Sequence, residues 1–215
     1  MSTRRLVVLG AGGHGKVVAD AARAGGAQVL AFADSDTARL GSEVLGLPVI
    51  DGQIDELCRY CEHEGAEVVV AIGQNRGRRS AFEALCSRGL RLATVVHPSA
   101  VLASDVTVGA GVVIFAGAVI NVSSQIGDNA IVNTGARLDH DNVLGAHAHV
   151  SPGVCTGGEV RIGEGTHLGV GVNVRNGLCI GAWTVVGVGA AVVSDLPDRV
   201  VAYGVPARII RASAL

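Results

Sequence analysis

Aromatic side chains are scarce in this chain: three Phe, two Tyr and one Trp among 215 residues. Single-stranded nucleic acid is held on aromatic platforms beside basic grooves. Neither feature is on offer, because 17 Lys and Arg are set against 19 Asp and Glu, for a net charge of −2. No nucleic-acid partner is expected. Long apolar runs are also missing. Hydrophobic residues make up 49% of the chain and its mean hydropathy is +0.44. Yet no uncharged apolar run reaches the roughly 18 residues that a membrane span needs, so no membrane partner is expected either. Met-Ser-Thr-Arg-Arg leads straight into a strand-like run without a secretory signal pattern, and a cytoplasmic location is the expectation. Five cysteines in such a chain read as reduced thiols and not as a disulfide framework. Cys58 and Cys61 form a CxxC inside a helical stretch. A redox pair would open its helix directly after a strand, and a structural zinc would need two ligands beyond this pair, with only His63 in view. The two read as small apolar residues one turn apart.

What the chain has in their place is a period of six. From Leu102 to Val192 every sixth residue is aliphatic except Thr156. Six is a multiple of the strand period of two but not of the helical 3.6, so these are strands. Units this short cannot bury an apolar face alone and must stack into a parallel β-helix. Gly often follows the aliphatic residue (Gly109, Gly127, Gly145, Gly157, Gly163, Gly169, Gly181, Gly187), which suggests corners in need of backbone freedom. Two residues before it sits a small or β-branched side chain, such as Val106, Ala118, Ser124, Ala136, Val160 or Val172. Three six-residue faces give about eighteen residues per coil and a rise of about 4.8 Å. The inward columns are then Leu102/Ile120/Leu138/Thr156/Val174/Val192, Val108/Ile126/Leu144/Ile162/Ile180 and Ile114/Val132/Val150/Leu168/Val186. This repeat resembles the left-handed β-helix of the hexapeptide acyltransferases.

Residues 1–96 follow another grammar. Strand-like runs at 4–9, 28–33, 67–72 and 90–96 alternate with helical stretches at 16–23, 51–64 and 76–88, the pattern of a parallel sheet with crossover helices. The expected fold is an α/β N-terminal domain with a small Rossmann-like parallel sheet, followed from 97 to 215 by a left-handed parallel β-helix. His97-Pro98 marks the boundary, and the tail from Val201 to Arg208 leaves the repeat and packs back near the last coils. Gly10, Gly12 and Gly15 satisfy G-x-G-x-x-G between strand and helix, with Asp34 about twenty residues on. A dinucleotide site needs two mononucleotide halves, more than this half-chain supplies. The loop therefore reads as a site for one nucleotide moiety.

Chemistry concentrates in Asn133–His149, where three of the seven histidines lie with two carboxylates. His140 falls near a corner and Asp141 follows it. A neutral imidazole suits proton removal near pH 7, and an adjacent carboxylate can set its tautomer and raise its basicity. From spacing alone, a mere polar corner residue is equally open.

Taken together, Gly-Ala-Gly-Gly-His-Gly, His-Pro, the hexapeptide repeats and the Gly-Val-Pro-Ala-Arg tail resemble the sialic acid O-acetyltransferase (NeuD-like) family. That family includes N-acetyltransferases acting on nucleotide-linked 4-amino-4,6-dideoxy sugars, of the GDP-perosamine or UDP-bacillosamine-precursor type. The resemblance implies acetyl-CoA as co-substrate, no metal, a nucleotide-amino-sugar substrate and a homotrimer with sites between subunits. It implies His140 as catalytic base, Asp141 as the acid that raises its basicity, and Asn133 as an active-site amide. His149, Val170 and Val188 would contact acetyl-CoA. Gly12, Gly13, His14, Asp34, Ser35, Ile72 and Gly73 would hold the sugar nucleotide. Ser35 stands where a second Asp is common, and Asp141 where Glu is common.

Three other readings compete. The nearest is O-acetylation of a sialic acid. Another is a metal site of the β-helix carbonic-anhydrase type, built on His147, His149 and His167. The third is a non-catalytic nucleotide-sugar binder. Exposed apolar residues such as Val170, Val172 and Val185 on flat faces would be covered by threefold association.

Overall fold

The computed structural model describes residues 3–213, which divide into two compact units, one ending at Pro98 and the other beginning at Ser99. That division lies two residues beyond the boundary expected from the sequence.

The first unit is built on β1 (Arg5–Leu9), β2 (Gln28–Asp34), β3 (Glu43–Val44), β4 (Leu47–Asp51) and β5 (Glu67–Val70), in the order β3-β4-β2-β1-β5. Only the β3–β4 pair is antiparallel. The helices are α1 (Gly13–Ala24), α2 (Ile54–Glu64) and α3 (Asn75–Ser87). β1 is buried throughout most of its length, as a central parallel strand covered on both faces must be. The β3–β4 hairpin was not anticipated. Its turn is Leu45-Gly46, with φ of 51° and 71°, and a leucine at positive φ carries none of the usual Asn-Gly signature of such turns. The strand expected over 90–96 shrinks to a bridge between Leu92 and Val68 and a two-residue strand at Val95–Val96. Cys58 and Cys61 are buried on the inner face of α2, and burial pushes the Cys61 thiol up to about 12. Neither is a poised redox thiol.

The second unit is the left-handed β-helix. Two-residue strands pair in parallel with partners eighteen residues away, as in Ile120↔Leu138↔Thr156 and Ile126↔Leu144↔Ile162. The three inward columns are those read from the period of six. The column that starts at Ile114 is extended by Val200–Tyr203, paired in parallel with Val185–Val186. Arg208–Ala212 then returns antiparallel along that strand. The tail thus adds rungs to the ladder before it folds back.

Two expectations need correction. The glycines after the aliphatic residues are not the flexible corners. From Ile114 onward, positive φ falls three residues before each inward position, at Gly111, Gly117, Ser123, Asn129, Gly135, Asp141, His147 and beyond. Gly127, Gly145 and Gly163 serve another end: a Cβ at each would lie 2.4–2.6 Å from a backbone nitrogen of the next coil. They are small because consecutive coils touch there. Val172 also does not face outward. It is fully buried in the core, whereas Val170 and Val188 are 49% and 75% exposed.

Thr156 is the one polar member of the inward columns, buried at 7% exposure, and its hydroxyl has no hydrogen-bond partner. A buried unmade hydrogen bond costs about 1–3 kcal/mol. Thr156→Val, which swaps that hydroxyl for a methyl of similar shape, should raise stability by about 1 kcal/mol, read as a higher midpoint in thermal or denaturant unfolding.

Candidate active site

In the first unit, the residues expected to hold a nucleotide gather at the C-terminal ends of the adjacent strands β2, β1 and β5, the edge where parallel sheets bind ligands. The glycines of the loop divide into two kinds. Gly10 has φ +119° and its Cβ would lie 2.6 Å from the Ala71 carbonyl oxygen; a Cβ on Gly15 would lie 1.9 Å from the Gly10 oxygen. Both are demanded by packing. A Cβ on Gly12 or Gly13 would meet nothing within 4 Å, so packing does not explain them. They open α1, whose first turn carries neither a side-chain cap nor an acidic residue, leaving its N–H groups and dipole available to an anion.

The Asp34 carboxylate accepts from Ala11 N at 2.9 Å and from Asp36 N at 3.0 Å, which ties the β1 loop to the end of β2. Its role here is to shape the loop. Ser35 beside it is exposed. Ile72 and Gly73 are held by a residue that pattern reading passed over. Arg78 is fully buried and donates to Ile72 O at 3.1 Å, Gly73 O at 3.3 Å and Asn75 Oδ1 at 2.9 Å. Burial lowers its pKa to about 10, so it stays charged at neutral pH. His14 is pushed down to about 4 by burial and then by the nearby Arg78 cation, and is neutral at physiological pH.

In the second unit the expected residues separate onto two edges of the triangular coil. On the first, His140 Nδ1 lies 2.7 Å from Asp141 Oδ2. A carboxylate only accepts, so Nδ1 carries the proton and Nε2 bears the lone pair. The shared bond with Asp141 raises the His140 pKa above its usual 6.5, and the charges of Asp139, Asp141 and Glu159 add to it. Asp141 sits at φ 59°, a left-handed conformation that Asp tolerates better than most residues. Asp139 accepts from His140 N at 2.8 Å and from Asn121 Nδ2 at 2.9 Å. A Cβ on Gly158, one coil further on, would fall 2.4–2.5 Å from His140 Cε1 and Nε2. The imidazole therefore rests on bare backbone.

On the second edge, Asn133 Nδ2 and His149 Nε2 are 3.1 Å apart. Val170 and Val188 stack along the same edge, linked by Gly189 N donating to Val170 O. His149 and His167 meet edge-on at 4.8 Å, and His167 Nε2 contacts Ser151 Oγ at 3.2 Å. His147 Nδ1 instead contacts Asn129, at a third edge. The three imidazoles considered for a metal thus address separate partners, and among the described residues no group of three or more His, Cys, Asp or Glu could hold an ion. Within one chain, Asn133 and His149 flank one end of the Arg137–Leu138 face and His140 the other.

Asp139, Asn142, Gly158, Glu159 and Arg78 were not singled out from the sequence. For Gly158 and Glu159 the signal was there, since each lies eighteen residues beyond His140 or Asp141.

Residues 5–85 match the PglD N-terminal domain. The chain is 44% identical to perosamine N-acetyltransferase from Caulobacter crescentus, solved with CoA and GDP-perosamine, at a TM-score of 0.90 over 97% of this chain and 98% of that one. The acetyltransferase domain of PglB from Neisseria gonorrhoeae, solved with acetyl coenzyme A, is 38% identical, with a TM-score of 0.90 over 97% and 100%. WeeI from Acinetobacter baumannii is 25% identical, with a TM-score of 0.83 over 97% and 100%. No curated protein sequence matches. The chain belongs to the nucleotide-amino-sugar N-acetyltransferases, an acyltransferase family built on this two-part fold. No helix among the described residues is long and apolar enough to cross a membrane.

The two kinds of loop glycine should separate in stability measurements. Gly15→Ala forces a Cβ onto backbone and should cost about 1–3 kcal/mol of unfolding free energy. Gly13→Ala should leave the unfolding midpoint essentially unchanged.

Proposed function

We propose that the protein transfers the acetyl group of acetyl-CoA to the 4-amine of a nucleotide-linked 4-amino-4,6-dideoxy sugar, with GDP-perosamine the foremost candidate. The observation that carries this reading is the His140–Asp141 pair, a tautomer-locked base seated on Gly158. The likeness to a perosamine N-acetyltransferase over nearly the whole chain supports the substrate class. That relative was also solved with one histidine replaced by asparagine or alanine. Gly12, Gly13 and the α1 N-terminus bind the phosphates, with His14, Asp34, Ser35, Ile72 and Gly73 around the remainder of the nucleotide sugar.

The amine nitrogen attacks the thioester carbonyl, forming the C–N bond. His140 Nε2 takes the amine proton while Asp141 steadies the imidazolium. The C–S bond then breaks, and the departing thiolate receives the proton from His140. Neither Cys155 nor Cys179 acts as an acyl carrier. Among the described residues, the Cys155 thiol hydrogen-bonds with Arg137 Nε, at 3.2 Å, and Gly153 O, and neither is a base. Holding the two substrates together supplies much of the acceleration.

The protein works as a homotrimer in which His140 and Asp141 of one subunit face Asn133, His149, Val170 and Val188 of the next. The division of these residues between two edges, and the exposure of Val170 and Val188, support this arrangement. It has a quantitative test. Chains carrying His140→Ala and chains carrying Asn133→Ala should each be inactive alone. Randomly mixed in one trimer, they should regain about a quarter of wild-type activity, because about a quarter of inter-subunit sites combine two intact halves. Recovery of none would assign the site to a single chain.

The pH profile tests the base itself. Only neutral His140 accepts a proton, so turnover should rise with pH through a midpoint above 6.5 and then level off. Asp141→Asn removes the largest cause of the raised pKa, and should move that midpoint to lower pH while reducing kcat. If His140→Ala keeps more than about a tenth of wild-type kcat, the general-base role is lost.

A further inference from the structure

At the edge that bears His140, the inward position two residues before each aliphatic one is filled in turn by Val106, Ser124, Asn142, Val160 and Leu178. Two polar residues interrupt an apolar column, Asn142 on the coil that bears His140 and Ser124 on the coil before it, whereas the coil of Gly158 carries Val160. Ser124 is 0% and Asn142 1% exposed. Ser124 Oγ donates to Asp139 O at 3.1 Å and accepts from Asn142 N at 3.2 Å. Thr166 repeats this at another edge, donating to Gly181 O at 2.6 Å and accepting from Thr184 N at 3.1 Å. A buried hydroxyl is therefore enough to tie one corner of this coil to the next.

Asn142 goes further. Its Nδ2 donates to Gly157 O at 2.9 Å, the counterpart of the hydroxyl ties, and also to Asp139 O at 2.7 Å and His140 O at 3.3 Å. Two protons serve three carbonyls, with the His140 oxygen the weaker share. Its Oδ1 is buried with no hydrogen-bond partner, an arrangement that is unfavourable for stability. The fold does not demand it, since Val160 fills the same column one coil on and Val106 two coils back. The two additional bonds are those on either side of the His140 peptide. From outside the coil the Asp139 carboxylate takes His140 N–H, and Glu159 N donates to His140 O at 2.9 Å.

We propose that Asn142 is a positioning residue for His140: its buried amide clamps the Asp139–His140 backbone from inside the coil and holds the imidazole over Gly158. The proposal rests on His140 as the base of the acetyl transfer. Displacement of a catalytic group by about 1 Å can lower the rate about a hundredfold. The clamp thus acts on kcat without touching either substrate.

Asn142→Thr retains a donor for Gly157 O but loses the bonds flanking His140, and Asn142→Val reproduces the neighbouring residues of the column. Full-length protein carrying each is assayed with acetyl-CoA and GDP-perosamine beside wild type and His140→Ala. The expected result for Asn142→Thr is an unfolding midpoint near that of wild type, a kcat at least about tenfold lower, and unchanged KM for both substrates. The acid limb of its pH profile should also move. An Asn142→Thr enzyme that keeps kcat within twofold of wild type while His140→Ala is inactive overturns the clamp and leaves the base intact. Activity retained by His140→Ala overturns the base, and the clamp with it. Lower stability in both Asn142 variants with full kcat per folded molecule reduces Asn142 to a structural residue and also overturns the proposal.

Discussion

The structure depends on direct backbone contact between coils eighteen residues apart. Gly127, Gly145 and Gly163 leave so little space that a Cβ would strike a backbone nitrogen of the next coil. Stacking this close fixes the register of every ladder, because a slip by one residue would turn each buried aliphatic outward. It also turns single glycines into seats for large side chains. Gly165 lies under the Trp183 ring and Gly158 under that of His140. Close stacking and the placement of the His140 imidazole are thus one device. His140 stands on a coil with no inserted loop, so its position is set by the same contacts that hold the core.

That regularity is why so much of the second unit could be read from its sequence. A period of six has one structural solution, and the three inward columns follow from arithmetic. The first unit was legible where its chemistry was ordinary, in β1, β2, β5 and the helices. It was opaque at the β3–β4 hairpin, whose turn puts Leu45 at positive φ. The glycines after the aliphatic positions were located correctly but explained wrongly, since composition does not separate a need for positive φ from a need for close approach. The same ambiguity held in the nucleotide loop, where only the structure distinguishes Gly10 and Gly15 from Gly12 and Gly13. Of the site, His140 and Asp141 were visible as a local pair. Asn142 and Arg78 were not, because their significance lies in which carbonyls they reach, and nothing in local pattern reports that.

Both units secure the backbone between strands in the same way, by spending a buried polar side chain on main-chain carbonyls. Arg78 gathers the carbonyls of Ile72 and Gly73, and Asn142 those of Asp139, His140 and Gly157. A carbonyl turned inward without a donor would be destabilising. Supplying the donor from a side chain lets a segment take an irregular course and still be rigid. Loops that carry chemistry gain from that combination, because binding and catalysis both suffer when groups must be ordered at the moment of reaction.

The charges around His140 bear on the proposed reaction in a second way. The hydrogen bond from Asp141 raises the basicity of the imidazole, and Asp139 and Glu159 reinforce it. An amino sugar in neutral water is largely an ammonium ion and cannot attack a thioester until it loses a proton. An acidic corner attracts that cation; the ammonium proton is lost to solvent, and in the proposed reaction His140 takes the proton released when the free amine attacks. A neutral hydroxyl would gain nothing from the attraction and would need a stronger base. The clustering of three carboxylates about one imidazole thus draws in a cationic amino sugar at the encounter, while the basicity it lends His140 would serve an alcohol as well.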